Sequence, residues 1–350
     1  MKMTAVMALK PGMVLAEDVL NFKNELLFPA NTTLDDRAIA KLSRHSIMCV
    51  EVKEEEDFAT THFEKIRVSA GFRHFEKTYN IFFPKYKKMI DGLINDKTPI
   101  DVSMLFQIYA EITGCAKTGE LLLDYLYNML PSEDNLTYAH CLNSALIAGV
   151  FGTWTGMPRD DLFRLIECGF FYDIGKLMLP QELIWKPSKL TDMEFELMKT
   201  HTLQGYNLLK DQDLDESILL ATLEHHEKCD GTGYPSKLKE DQINLFAKYI
   251  SIIDAYEAMT SARTYRQSLV PFQVIENFER NERFYPPIIL RNILLHIANS
   301  QVGLTVRLSD ERLAEVILIN QRNLSRPLLK CGDEVIDLVK FPDLKIVAVL

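Results

Sequence analysis

Ile166-Glu167-Cys168-Gly169-Phe170-Phe171-Tyr172-Asp173-Ile174-Gly175-Lys176 is the stretch whose reading settles the fold class. Ile166, Gly169, Phe170 and Asp173 recur at intervals of three and four, the spacing that lays side chains along one face of an α-helix. That face is apolar except for a single carboxylate at its end. A carboxylate in apolar surroundings is costly unless it is paired or bound to a metal. The segment therefore predicts a helix that carries a functional acid into a helical core.

The same pattern repeats on both sides. His140 shares a stripe with Ser144, Ile147 and Phe151, and Asp254 follows Ala247 and Ile250. His201 continues Phe195 and Met198 and precedes Gly205 and Leu208. His225 and His226 open the run His225-His226-Glu227-Lys228-Cys229-Asp230-Gly231-Thr232-Gly233-Tyr234-Pro235, in which a histidine pair leads into a glycine-rich turn. A lone histidine on an apolar face is more often a satisfied core residue. Two acids and four histidines converging from separate helices fit a metal site instead, because helical bundles build such sites from inward ligands on facing helices. Imidazole and carboxylate without thiolate suit iron, manganese or zinc. Lys176, Arg263 and Arg266 are candidate phosphate clamps, with solvated surface charge as the competing reading. His62 and His74 have no partners at ligand spacing and, with His45 and His296, read as structural or surface residues.

The rest of the chain frames this block. Its 350 residues, 47% apolar and 25% charged, suffice for a sizeable core and more than one domain. A formal charge of −10 argues against DNA or RNA as a partner, since those call for a basic face. No apolar run reaches the roughly 18 residues of a membrane span, and the N-terminus lacks the pattern of a signal peptide. Six cysteines without a CxxC pair fit a reducing compartment, so a cytoplasmic protein without a membrane partner is expected. Residues 1–55 read as a small α+β domain with a turn at Leu9–Met13, a short helix capped by Asn31-Thr32-Thr33 and ending near Arg44, and a strand over Ile47–Val52. Residues 56–130 read as a helical linker or bundle, 131–295 as the helical block with the chemistry, and 300–350 as a small β segment. Within the block, Thr191 and Glu194 form a capping box that opens a helix.

Taken together, these residues resemble the HD-GYP phosphodiesterases over about 131 to 290. The resemblance rests on His140, Asp173-Ile174-Gly175-Lys176, Lys186-Pro187-Ser188-Lys189-Leu190-Thr191, Met198-Lys199-Thr200-His201, His225-His226, Gly233-Tyr234-Pro235, and Asp254 with Thr260, Arg263, Tyr265 and Arg266. It implies a mainly α fold: a helical HD-type domain with a small α+β N-terminal domain and a small β C-terminal appendage. It also implies hydrolysis of cyclic di-GMP to pGpG or GMP at one or two divalent transition-metal ions, iron or manganese before zinc. The carried-over metal ligands are His140, Asp173, His201, His225, His226 and Asp254. Asp173 would bridge metals and act in catalysis with Lys176, while Lys176, Tyr234, Arg263 and Arg266 would bind substrate. Two positions depart from the family. Tyr172 stands where it has the histidine before the aspartate, and Leu136 stands where some members carry a glutamate for a third metal. A phenol, with its pKa near 10, is a poor ligand. The alternative to an enzyme slowed by Tyr172 is thus a catalytically degenerate sensor of cyclic di-GMP or a protein-interaction module in bacterial signalling. A signalling-protein partner and a homodimer are compatible with either.

Overall fold

The computed structural model describes residues 1–130, 132–186, 188–261 and 268–350. It is mainly α, with a small antiparallel sheet at the C-terminal end. The chain divides into two compact units, Met1–Ala70 and Gly71–Leu350.

In the first unit, β1 (Lys2–Ala5), β2 (Val19–Leu20), β3 (Leu26–Phe28), α1 (Asp36–Arg44) and β4 (Cys49–Val52) surround a core that includes Leu15, Leu34, Leu42 and Val50, and α2 (His62–Val68) follows. β1 pairs antiparallel with β4, and β2 with β3. The expected Asn31-Thr32-Thr33 cap is corrected here. Thr33 bridges Val14, the Thr32 carbonyl accepts from the Leu15 amide, and the helix starts only at Asp36. Asp35 is the cap: its carboxylate accepts from the Ala38 amide at 2.7 Å. A side-chain acceptor satisfies an orphan amide only from the position immediately outside the first turn, and the extended bridge holds Thr32 and Thr33 too far upstream.

The second unit begins with α3 (Ala70–Asp96), α4 (Val102–Thr113) and α5 (Gly119–Tyr127). α3 buries Phe72, Phe75, Tyr79, Phe82, Tyr86, Ile90 and Leu93, a stripe at helical spacing along its length. Then come α6 (Leu136–Trp154), α7 (Arg159–Phe171), α8 (Gln181–Ile184), α9 (Asp192–Lys199), α10 (His201–Leu209) and α11 (Glu216–Glu224). α12 (Leu245–Thr260), α13 (Pro271–Arg280) and α14 (Pro287–Asn299) complete the helical part. α6 is buried from Ala139 through Gly152, as a helix at the centre of a bundle must be. The capping box at α9 forms as expected, with the Glu194 carboxylate accepting from the Thr191 amide at 2.7 Å. Beyond the helices, β5 (Thr305–Leu308), β6 (Leu313–Leu318), β7 (Leu328–Cys331), β8 (Glu334–Asp337) and β9 (Ile346–Val349) form one antiparallel sheet in the order β8-β7-β6-β5-β9.

Two glycines set the geometry at the centre. A side chain at Gly169 on α7 would meet the Ala145 Cα of α6 at 2.5 Å, so these helices cross almost backbone to backbone. At Gly175, in the 3₁₀ segment Ile174–Met178 that follows α7, a Cβ would lie 2.0 Å from the His201 carbonyl oxygen. Asp173 sits between these two close approaches, which leaves its carboxylate little freedom of place.

Candidate metal centre

Asp173 is fully buried. Neither of its carboxylate oxygens accepts a hydrogen bond among the described residues. The Lys176 ammonium approaches Oδ2 at 2.5 Å as an ion pair without hydrogen-bond alignment. Three ring nitrogens also face this carboxylate: His201 Nε2 at 3.3 Å, His140 Nε2 at 3.4 Å and His225 Nε2 at 3.8 Å. A buried carboxylate that lacks hydrogen bonds carries a desolvation cost of several kcal/mol unless another cation shares the site.

The tautomers of two histidines follow from their other nitrogens. His201 Nδ1 lies 2.6 Å from the Met198 carbonyl oxygen, and His225 Nδ1 lies 2.9 Å from that of Thr222. Carbonyl oxygens only accept, so both Nδ1 atoms carry hydrogen and both Nε2 atoms present lone pairs when the rings are neutral. Those two Nε2 atoms stand 3.3 Å apart with Asp173 Oδ1 beside them. Lone pairs and a carboxylate aimed at one point are the donor set of a transition metal. The donor atoms of Asp173, His201, His225 and His226 all fall within 4.8 Å of one another, and so do those of a second group, His140, Asp173 and Asp254. Asp173 belongs to both groups.

Electrostatics keeps the first group ready for a cation. Burial pushes His201 down to about 4 and lowers His225 and His226 as well, so these rings are neutral near pH 7. For Asp173 burial opposes ionisation, but Lys176 and the neighbouring imidazoles hold the carboxyl below its ordinary range. Burial likewise disfavours the Lys176 ammonium, and Asp173 and Asp254 together more than offset it. His140 differs: burial works against its protonation, yet Glu257, Asp254 and Asp173 raise it to about 10.

These shifts set an acid limit on the metal-free fold. An unfolded imidazole takes up its proton near pH 6.5, whereas folded His201 does so only near 4, so the unfolded state binds more protons in between. Stability is then full above about 6.5 and falls as the pH drops toward 4. His140 acts in the opposite window, since its contribution is complete below 6.5 and is lost as the pH rises to about 10. The thermal midpoint of chelator-treated protein is expected to fall between pH 7 and 5 by scanning calorimetry, and a flat profile would contradict the buried neutral imidazoles.

A second layer of contacts orients His140. Its Nδ1 donates to Glu257 Oε2 at 2.5 Å, and Glu257 Oε1 accepts from Asn143 Nδ2 at 3.0 Å and from the Ser261 hydroxyl at 2.5 Å. The Tyr79 hydroxyl of α3 in turn donates to Asn143 Oδ1 at 2.9 Å. A carboxylate behind a ligating imidazole fixes its orientation and raises its basicity. Glu257 and Asn143 were not among the candidates from sequence, although each lies three residues after one of them, Asp254 and His140, and therefore on the same helix face. Glu227, also outside the candidate set, accepts from the Ser236 and Leu238 amides at 2.5 and 2.9 Å and so ties down the turn that carries Tyr234.

Tyr172 is fully buried beside the second group. Its hydroxyl lies 2.5 Å from His140 Nε2, 3.0 Å from the Ser144 hydroxyl and 3.4 Å from Asp254 Oδ1. Burial, with Asp254 and Asp173 adding to it, raises the phenol well above 10, so the ring is a neutral donor rather than a phenolate ligand. The donors present thus fit one metal at the Asp173, His201, His225 and His226 group and leave the His140, Asp173 and Asp254 group short of an imidazole.

The centre opens into a cavity of about 320 Å³ that also reaches Lys176, Met198 and Tyr234. A larger cavity of about 690 Å³ is lined by Cys229, Glu279 and Arg283 and holds no such cluster, so volume does not pick out the site here. His140, Asp173, Lys176, His201, His226, Tyr234 and Asp254 line the smaller cavity together, with His225 beneath in contact with His201 and His226. Arg263 and Arg266 lie outside the described residues. Leu136 is on the cavity wall.

Comparison with known proteins agrees with this geometry. Residues 124–286 match the family described as HD domain. The cyclic di-GMP phosphodiesterase PA4108 of Pseudomonas aeruginosa is 32% identical over 202 residues, 57% of this chain and 49% of that protein. The 3′3′-cGAMP-specific phosphodiesterase 1 of Vibrio cholerae is 30% identical over 156 residues, 44% of this chain and 36% of that protein. The chain thus spans half or less of the length of these two relatives. Among solved structures, Bd1817, described as an HDG"Y"P protein from Bdellovibrio bacteriovorus, superposes with a TM-score of 0.51 at 12% identity, over 85% of this chain and 99% of that one. At that identity the likeness speaks for the fold alone. No helix among the described residues is long and apolar enough to cross a membrane.

Proposed function

We propose that this chain, which matches the HD domain over residues 124–286, hydrolyses cyclic di-GMP to pGpG or GMP as a cytoplasmic, metal-dependent phosphodiesterase. The observation that carries the reading is the buried Asp173 carboxylate, unbonded at both oxygens and faced by the lone pairs of neutral imidazoles. A divalent transition metal held by Asp173, His201, His225 and His226, iron or manganese before zinc, would polarise the phosphodiester and lower the pKa of a bound water toward 7.

The chain's own residues do the rest. Asp173 is placed to orient the attacking water and to take its proton. Lys176, 2.5 Å from Asp173, offsets the charge that gathers on the phosphoryl oxygens as water adds to phosphorus and the bond to the leaving sugar oxygen breaks. Tyr234, held over His226 with ring centroids 4.8 Å apart, closes one side of the cavity. Arg263 and Arg266 are proposed as further phosphate contacts. Six free cysteines fit the reducing interior of a cell.

The test is a cleavage assay coupled to metal analysis of anaerobically purified protein. The expected result is tightly held transition metal and conversion of cyclic di-GMP to linear product. Metal-loaded protein that binds the nucleotide and leaves it intact would overturn the enzyme and establish the sensor.

A further inference from the structure

Beside the candidate metal centre lies a second cavity, of about 300 Å³. Lys176, Leu136, Thr137 and Ile184 line both cavities, so the ammonium of Lys176 stands at their junction. The far wall comes from α3, which precedes the HD-domain match, through Lys87, Asp91, Ile94 and Asn95. Part of this wall is fixed. Lys87 donates to Asn135 Oδ1 at 2.7 Å and lies 5.0 Å above the Tyr138 ring, while the Tyr138 hydroxyl donates to Asp91.

Trp185 and Asp134 are among the uncommitted groups in the cavity. Trp185 is half-buried and Asp134 is exposed, and neither side chain makes a hydrogen bond, ion pair or ring contact among the described residues. An aromatic face and a carboxylate, next to a lysine already assigned to phosphate, are the elements of a guanine site. Bases stack on aromatic rings whatever their identity. The Watson–Crick edge of guanine offers adjacent N–H donors, which a carboxylate accepts as a pair, whereas the same edge of adenine offers a donor beside an acceptor. Leu136 and Ile184 supply an apolar floor. The relatives named above are described as acting on cyclic di-GMP in one case and 3′3′-cGAMP in the other, so base selectivity varies among proteins similar to this chain.

We propose that this second cavity is the base-binding lobe of the site, in which a guanine stacks on Trp185 and pairs with the Asp134 carboxylate when its phosphate rests on Lys176. The proposal rests on the phosphodiesterase reading, deepens it to base specificity, and assigns part of the lobe to α3.

The experiment uses the full chain, metal-loaded, with Trp185→Ala and Asp134→Asn. Calorimetry measures binding of cyclic di-GMP and cyclic di-AMP, and hydrolysis of bis(p-nitrophenyl) phosphate reports on the metal centre without any base. Trp185→Ala is expected to weaken cyclic di-GMP binding about 10-fold, the size of one base–aromatic stack. Asp134→Asn is expected to weaken cyclic di-GMP about 10-fold and to narrow its advantage over cyclic di-AMP, as removal of a paired base contact should. Both variants should keep the parent's metal content and its rate on the base-free ester. Unchanged cyclic di-GMP binding in both variants overturns the lobe, as does a parallel loss on the base-free ester or a parent that does not bind cyclic di-GMP. The two readings fail separately. A parent that binds and responds to these substitutions without cleaving keeps the lobe and loses the enzyme; a parent that cleaves and is indifferent to them does the reverse.

Discussion

Asp173→Asn is expected to lower hydrolysis of cyclic di-GMP by at least about 100-fold and to release most of the bound metal. Asparagine keeps the size of the side chain, so the close approaches at Gly169 and Gly175 are undisturbed. What disappears is the negative charge that His140, His201, His225 and Lys176 all face. Loss of contacts that merely orient ligands costs about 10–100-fold in metal affinity or activity, and a ligand shared by both donor groups should cost no less than the upper end. Lys176 would also be left half-buried beside a neutral amide, a situation that disfavours its charged form. Metal content by mass spectrometry and turnover of cyclic di-GMP check the expectation together, with circular dichroism to verify the fold. A well-folded variant that retains its metal and a tenth of the parent's turnover would remove Asp173 from the centre of the site.

Tyr172→His carries the second large effect, in the opposite direction. The phenol end of Tyr172 occupies the space beside His140 and Asp254 where a further donor of the His140, Asp173 and Asp254 group would act. It cannot serve as an anion there, because burial and two carboxylates hold its proton on. Imidazole is smaller than phenol and can give up a proton to present a lone pair to a metal, so the substitution adds a ligand without adding bulk. The expected outcome is a rise from about one metal per chain toward two and a gain in turnover of roughly 10- to 100-fold, the range that single coordination-sphere changes produce. An unchanged metal count and rate would mean that Tyr172 is a working variant, its hydroxyl a hydrogen-bond donor the site uses.

The helical architecture was legible because the chemistry sits on periodic faces. His140 and Asp254 continue buried stripes at helical spacing, Asp173 follows the end of α7 and His201 opens α10, and the structure brings their side chains within a few ångströms of one another. The Thr191 and Glu194 box was readable for the same local reason. Other features depend on partners far along the chain. Tyr79 is 64 residues from Asn143, and no spacing rule joins them. Glu257 was closer to hand, yet a carboxylate three residues after another on one helix ordinarily faces water, and only the position of His140 on α6 turns it inward. The start of α1 was misplaced because Thr32 and Thr33 are good caps in isolation and a strand-like bridge claims them first. At the C-terminal end a β segment was legible over 300–350, but β7 and β8 on either side of Gly332 are four residues each, too short for alternation to stand out.

The stripe of buried aromatics on α3 bears on where this protein can be cut. A fragment trimmed to the 124–286 match would lack α3, and with it the Tyr79 hydroxyl on Asn143 and the Tyr86 hydroxyl that donates to the Phe170 carbonyl at 2.6 Å. It would also uncover the apolar surfaces of Tyr125 and Phe170 that pack against Phe75 and Tyr86. Such a piece would present a sticky face to solvent and a loosened support behind His140. Excision for crystallography or grafting should therefore start before residue 70, and the folded unit around Asp173 is better thought of as a helix longer at its front than the 124–286 match.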